Sequence, residues 1–479
     1  MHERLRSLFS QHFGVQADVA LALTGDGSAR QYHRLVGPGH RTAIGAIGPD
    51  REENHAFLSY SRTLYGLGLP VPEVYGADEE MGVWLLQDLG DTTLFDALRT
   101  ARRDEAPGSG AAFPAEMLST YRRVVEWLPR FQVEGGRHVD FSVAYPRSAF
   151  DRQSILWDLN YFKYHFLKLA HVPFNEARLE HDFSELTGFL LETDTDHFLY
   201  RDFQSRNVML VAGEPWFIDY QGGRRGALQY DIASLLYDAK ADIPDTVRVE
   251  LLGHYLDALE SHTMVDRQQF MEQYRGYVLV RILQALGAYG YRGFFERKPR
   301  FLQSVPFAAR NVSSLLESGL PLELPELDVT LRRIVERWGA QGPEGVREGL
   351  TVHVTSFSFR RGYPEDRGGH GGGHVFDCRG LPNPGREPQY ANLSGLDEPV
   401  VEFIRLRPEF DAFLAGILGL TDDQVREYQR RGFSSLSVAF GCTGGQHRSV
   451  FLAERLAEHL RRQFPDIHVD LFHREESTW

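Results

Sequence analysis

The stretch FLYRDFQSRNVMLVAGEPWFIDYQGG, residues 198–223, decides how this chain is read. Two apolar runs, NVML (207–210) and WFID (216–219), flank the turn VAGEP, which is the pattern of a β-hairpin. If the hairpin folds about Gly213, Asn207 lies six residues before the turn and Asp219 six after it. Both side chains then emerge at the same open end, beside Asp202 in the preceding loop. Three oxygen donors converging in this way suit a hard cation. Magnesium takes one or two carboxylates and leaves its other positions to phosphate oxygens and water. A carboxylate left in the loop is then placed to orient a hydroxyl.

Working outward, residues 1–90 carry short β-like runs around a glycine turn (TGDGSARQYHRLV, then RTAIGAI). A helical pattern follows, ENHAFLSYSRTLYGLG, which stops at Gly68 and Pro70. The apolar strand WLLQDLG (84–90) closes this small α+β lobe, and amphipathic stretches at 115–134, 150–170 and 247–290 make residues 91–338 a helical lobe. GAQGPEGVREG (339–349) reads as a linker. Residues 350–479 alternate strands (TVHVTSFSF, HVFDCRGL, SLSVAFG, HVDLFH) with helices, the pattern of an α/β layer fold. The expected fold class is therefore a bilobal α+β body followed by a smaller α/β domain.

Composition narrows the chemistry. The formal net charge is −14, and residues 351–479 carry 15 arginines against 18 acidic residues, so RNA is not an expected partner. Only four of the 52 basic residues are lysines, and none follows a glycine, which excludes a Walker phosphate loop. No apolar run reaches the length of a membrane span, and MHERLRSLFSQHFG reads as an amphipathic helix without the features of a signal peptide. Cys378 and Cys442 are too few for a disulfide framework. A cytoplasmic location with no membrane partner is the expectation.

The spacing D-x4-N followed by a strand-borne aspartate twelve residues later is the phosphoryl-transfer layout of the kinase fold. On these residues, positions ~20–335 resemble the aminoglycoside phosphotransferase and choline kinase superfamily of small-molecule kinases, which implies a protein-kinase-like fold using ATP and Mg2+. The resemblance makes Asp202 the catalytic base that orients the acceptor hydroxyl, and Asn207 and Asp219 the metal ligands. Tyr200 stands where the family often has His. GDGSARQYHRL, WLLQDLG and GALQYDIASLLYDA further resemble amino-sugar anomeric kinases of the AmgK type, which act on N-acetylmuramate or N-acetylglucosamine. Asp231, in the last of these segments, resembles a structural hydrogen-bonding aspartate. Gly25, Gly27 and Ser28 would let the glycine turn approach the ATP phosphates. The third-strand lysine of protein kinases is absent, since the first lysine is Lys163. Arg30 is the first choice to replace it, with Arg34 and Arg41 as alternatives, because a guanidinium grips phosphate bidentately. Loss of the clamp altogether would leave a nucleotide-binding regulator without turnover. Glu53, where the lysine's partner would sit, reads otherwise as an exposed acid.

In the last domain, SLSVAFGCTGGQHRSVFLAERLAEHL (435–460) reads as a buried strand, a glycine loop and a helix with Leu452, Leu456 and Leu460 on one face. Free amides at the helix N-terminus make an anion site, to which Arg448 adds a cation and Ser449 a hydroxyl. The loop also fits C-x5-R-S, with Cys442 and Arg448 spaced as in cysteine-dependent phosphatases. TSFSFRRGYP, VFDCRGLPNP, SGLDEPV and GCTGGQHRSV closely resemble the C-terminal domain of the RNase adapter RapZ. That resemblance implies binding of an amino-sugar phosphate and makes Arg379, Asn383, Gly444, Gly445, His447, Arg448 and Ser449 the ligand residues. His370 and His374 in RGGHGGGH either chelate a metal or belong to a flexible glycine loop. Together these readings describe an ATP-dependent kinase, a phosphotransferase with the alcohol group of a sugar or amino sugar as acceptor, joined to a sugar-phosphate-binding domain.

Overall fold

The computed structural model of the protein describes residues 1–23, 30–104, 113–339, 350–364, 373–430, 433 and 435–476. Gly25, Gly27, Ser28, His370 and linker residues 340–349 lie outside the described residues. The chain divides into two compact units, Met1–Ala288 with Phe307–Gly339, and Tyr289–Pro306 with Ala340–Trp479.

In the first unit, β1 (Val19–Leu23), β2 (Gln31–Gly37), β3 (Arg41–Ile47), β4 (Val74–Asp78) and β5 (Val83–Gln87) form an antiparallel sheet in the order β1-β2-β3-β5-β4. The alternation of buried and half-buried residues in β2 turns one face inward. There Leu35, Ala43, Ile47, Val83 and Leu85 pack against Leu5, Leu8 and Phe9 of the N-terminal helix α1 (His2–Phe13). Gly45 permits that contact: a Cβ there would stand 2.7 Å from Leu35 Cδ1 and 2.9 Å from Leu5 Cδ1. Helix α2 (Arg51–Gly66) starts with Asp50 accepting the Glu53 N–H at 3.0 Å, an ordinary side-chain N-cap.

Helices dominate the remainder of this unit. The 247–290 stretch forms two helices, Asp245–Leu259 and Arg267–Gly290, with a break between them. Against the helices lie two small ribbons, β6 (His197–Leu199) with β9 (Arg224–Gly226), and β7 (Val208–Val211) with β8 (Glu214–Phe217).

In the second unit, β10 (Thr351–Ser358), β11 (Gly373–Asp377), β12 (Ser435–Cys442) and β13 (His468–His473) form a parallel sheet in the order β11-β12-β10-β13. The Arg448–Gln463 helix buries Leu452, Leu456 and Leu460 in the core with Val352, Val354, Leu436 and Val438, the face its sequence spacing anticipates. The fold class is thus as expected: a mixed helix-and-sheet body and a separate α/β unit.

Candidate functional site

Two residues, not one, make the hairpin turn. Ala212 (φ 51) and Gly213 (φ 86) both take left-handed conformations between Val211 and Glu214, which are paired, giving the tight turn that matches the twist of its strands. The Ile218 N–H donates to the Asn207 carbonyl at 3.0 Å, so Asn207 faces Ile218 across the ladder. A turn centred on Gly213 would have put it opposite Asp219. Convergence survives this one-place correction because Asp219 leaves the ladder at φ 70. Asn207 Nδ2 donates to Asp219 Oδ2 at 3.2 Å and to the Asp202 carbonyl at 2.8 Å. The structure therefore gathers the three predicted residues at one end of one hairpin.

Buried polar groups hold the loop that carries Asp202. The fully buried Asp231 carboxylate accepts the backbone N–H groups of Tyr200 (2.8 Å) and Arg201 (2.9 Å), and Gln132 Nε2 at 3.3 Å, the structural role expected of it. Burial raises its pKa to about 7. Tyr200 is buried and its hydroxyl donates to the Ile218 carbonyl at 2.6 Å, tying the loop to the strand that leads into Asp219. Arg201 (φ 81) forks onto both oxygens of Asp158 at 2.8 and 2.7 Å and donates to the Tyr230 hydroxyl at 2.7 Å. Ser205 donates to Asp238. Sequence reasoning missed Asp158, Asp238 and Gln132, which carry no local motif.

Burial first, and then the Asp202 carboxylate, push the Asp219 pKa upward, while Gln221 Nε2, donating at 2.7 Å, and the Arg30 charge pull against them. A divalent cation fits this donor set, since it relieves two crowded carboxylates and accepts an amide oxygen. Among the described residues no group of three or more His, Cys, Asp or Glu is placed to hold a metal. The remaining ligand positions would fall to phosphate oxygens and water, the habit of magnesium.

The cationic candidates separate clearly. Arg30 is buried, with 5% of its surface exposed, over the faces of Phe57 and Trp84 at 5.5 and 5.4 Å. Its Nη2 lies 3.3 Å from Glu53 Oε1 on α2. Glu53 is therefore an ion-pair partner and not a plain exposed acid. Arg34 is committed to Asp88 (2.7 Å) and Asp91 (2.8 Å), and exposed Arg41 donates to the Phe13 carbonyl at 3.3 Å. Lys163 is enclosed by Glu176 and Glu180 in the helical part. Helix α2 is itself tied to the segment after Asp219: Tyr60 donates to the Gly223 carbonyl at 3.0 Å, and the Ser61 and Tyr220 hydroxyls lie 2.7 Å apart.

In the second unit, the loop between β12 and the Arg448–Gln463 helix carries Cys442 at its start. The Gly445 N–H donates to Cys442 Sγ at 3.2 Å, and the Ser449 hydroxyl lies 3.2 Å from the same sulfur. Burial opposes ionisation of this thiol. The Ser449 hydroxyl, the Ser449 and Gly445 amides and the Arg448 charge outweigh it and hold the pKa below the ordinary thiol value. Gly445 has φ 73, and a Cβ there would stand 2.5 Å from Glu475 Cγ and 2.9 Å from the Ser358 nitrogen. Gly444 has open space around its Cβ position.

Arg448, the expected anion clamp, turns one nitrogen toward the protein. It is buried, and its Nη1 donates to the carbonyls of Arg379 (3.1 Å) and Leu381 (2.8 Å), so it spends hydrogen bonds on holding the 379–381 segment. Arg379 itself forks onto Asp377 at 2.9 and 2.6 Å and lies over the Phe359 ring. His447 Nε2 lies 2.8 Å from the Tyr390 carbonyl, and Asn383 Oδ1 is 3.6 Å from the Cβ position of Gly385. His374 meets Gln424.

A loop aspartate, an amide and a strand-end aspartate are thus brought together at one end of a hairpin. The model of the phosphotransferase enzyme family matches residues 19–268, and the chain belongs to that family. Residues 350–477 match the model of the RapZ C-terminal domain. A nucleotide-binding protein of Halorhodospira halophila is 47% identical over 133 residues, covering 28% of this chain and 44% of that protein. One from Desulforudis audaxviator is 44% identical over 117 residues, covering 24% and 38%. The chain thus spans less than half the length of these curated relatives. Among solved structures, choline kinase LicA from Streptococcus pneumoniae has a TM-score of 0.42 at 14% identity, covering 66% of this chain and 99% of that one. Amicoumacin kinase hAmiN, in complex with AMP-PNP, Ca2+ and Ami, has a TM-score of 0.43 at 12% identity, covering 69% and 100%. No described helix is long and apolar enough to cross a membrane.

Proposed function

We propose that the chain is an ATP- and Mg2+-dependent kinase that phosphorylates a hydroxyl of a sugar or amino sugar of the N-acetylmuramate or N-acetylglucosamine type, and that its second unit binds an amino-sugar phosphate. The observation that carries the first part is the junction of Asp202, Asn207 and Asp219 through the Asn207 amide. Asp202 accepts the proton of the acceptor hydroxyl and aims its oxygen, while Asn207 and Asp219 hold the cation. Bound Mg-ATP supplies the γ-phosphoryl group and a counter-charge for its oxygens. Arg30, braced by Glu53, takes the place of the missing lysine at the phosphates. The intact acids and the braced Arg30 favour turnover over the regulator reading. A panel of sugars and amino sugars incubated with Mg-ATP, with phosphorus NMR of the products, tests the assignment.

The family match over 350–477 supports sugar-phosphate binding at the Cys442–Ser449 loop. A second reading, a Cys442-dependent phosphatase, draws on the Gly445 N–H and the Ser449 hydroxyl beside Cys442 Sγ. The hydrogen bonds from Arg448 to protein carbonyls and the burial of the thiol oppose it. Phosphate release from glucosamine-6-phosphate by the full chain, lost in Cys442→Ser, would favour the phosphatase; binding without release in both proteins favours the sensor.

A further inference from the structure

We infer that Arg34 is a positioning residue: it sets the sheet that carries Arg30 in register with the hairpin that carries Asn207 and Asp219, acting through residues 88–93. This rests on the nucleotide-binding reading above and names a residue that sequence reasoning considered only as a phosphate ligand.

Arg34 lies on β2, in the strand that begins one residue after Arg30, and pairs with Ile44 of β3. Its guanidinium reaches residues 88–91, which leave β5. Nε donates to Asp88 Oδ2 at 2.7 Å, Nη2 to Asp88 Oδ1 at 3.0 Å and to the Gly90 carbonyl at 3.2 Å, and Nη1 to Asp91 Oδ2 at 2.9 Å. Asp88 Oδ1 also accepts the Gly90 N–H at 3.0 Å, so the segment curls around one cation. Two residues on, the Thr92 carbonyl accepts the Leu210 N–H at 2.9 Å, and Thr93 forms a β-bridge with Met209. Leu210 and Met209 belong to β7, the strand that Asn207 immediately precedes. A continuous path of hydrogen bonds and backbone therefore runs from the strand that follows Arg30 to the middle of β7, where Met209 lies two residues from Asn207.

The chemistry of the clamp explains why arginine stands here. The Arg34 and Asp88 side chains are 18% and 6% exposed, so this pair is shielded from water, while Asp91 at 77% adds little. The planar fork grips both Asp88 oxygens and a carbonyl at once, which a lysine ammonium on its flexible stem cannot do. A shift of the sheet relative to the hairpin would separate Arg30 from Asp219, although each stayed folded in its own element. The cost then falls on a ligand that needs both, a nucleotide phosphate chain carrying its metal.

The experiment compares wild type, Arg34→Lys and Asp88→Asn, measuring AMP-PNP affinity by calorimetry with and without Mg2+, alongside the thermal midpoint. The expected result is that each substitution lowers the Mg2+ enhancement of affinity by about tenfold. Metal-free affinity should stay close to wild type even where loss of the shielded clamp lowers the midpoint, and a variant carrying both substitutions should lose no more of the enhancement than the worse single one. An unchanged Mg2+ enhancement in both variants overturns the inference and leaves the nucleotide reading standing. Equal loss of affinity with and without Mg2+ also overturns it, since it marks a purely structural residue. No AMP-PNP binding by wild type at all overturns the nucleotide reading itself, and the inference with it.

Discussion

Arg30 Nη2 stands 3.3 Å from Glu53 Oε1, with its guanidinium over the rings of Phe57 and Trp84. A buried arginine paired with a helix-borne glutamate is the group that the proposed function sets in place of the third-strand lysine of protein kinases. Aromatic faces and a carboxylate restrict its rotamers.

Replacing Arg30 with Ala should weaken Mg-ATP binding by roughly 1.5–3 kcal/mol, the range for a hydrogen bond to a charged group. Glu53→Gln should have a smaller effect in the same direction, because it removes the brace and not the ligand. Calorimetric titration checks both; unchanged affinity in Arg30→Ala would return the role to another group.

Asp231 should be a stability residue. Its loss in Asp231→Ala leaves the N–H groups of Tyr200 and Arg201 without their acceptor, for about 2–4 kcal/mol in urea unfolding. Its folded pKa, about 7, is raised above the roughly 3.9 of an unfolded aspartate. The associated stability is fully present below about pH 4 and is lost as pH rises through about 7. Between pH 5 and pH 8 the wild type should therefore lose more stability than Asp231→Asn, as read from urea midpoints at the two pH values.

Much of the site was legible because local signals coincide there. Alternating apolar runs, a Gly-containing turn and three oxygen-bearing residues lie within eighteen positions of one another, and tertiary packing only had to preserve a hairpin. The exact register was not legible, since an Ala212–Gly213 turn and one centred on Gly213 leave the same pattern in the sequence. The partners of Arg201 and Arg34 were hidden for another reason. Asp158 and Asp88 lie 43 and 54 residues away, so only the fold brings them together. In the second unit the strands and the buried leucine face could be read from periodicity. The turning of Arg448 toward the 379–381 carbonyls could not, because a guanidinium near a glycine loop reads equally well as an anion ligand.

The two cysteines should differ in reactivity. Cys442 is held below the ordinary thiol value, whereas burial, aided by the nearby Cys442, pushes Cys378 well above it. At neutral pH a small alkylating reagent should label Cys442 before Cys378, as read by peptide mass spectrometry. Labelling of Cys378 first would contradict the hydrogen-bond account of the loop.

Gly445→Ala should destabilise the second unit by about 1–3 kcal/mol, because it combines a left-handed backbone with contacts that no Cβ tolerates. Gly444→Ala, with open space around it, should cost much less. Urea unfolding of the two variants of the full chain separates these outcomes.

The most direct test of the account is phosphorus NMR of Mg-ATP turnover with an amino-sugar panel, run on wild type and Asp202→Asn, with nucleotide affinity measured alongside. Wild type should give a sugar phosphate, and Asp202→Asn should keep its affinity for Mg-ATP while losing that product by a factor of about 100 or more. Equal product from the two proteins would contradict the assignment of Asp202 as the base that orients the acceptor.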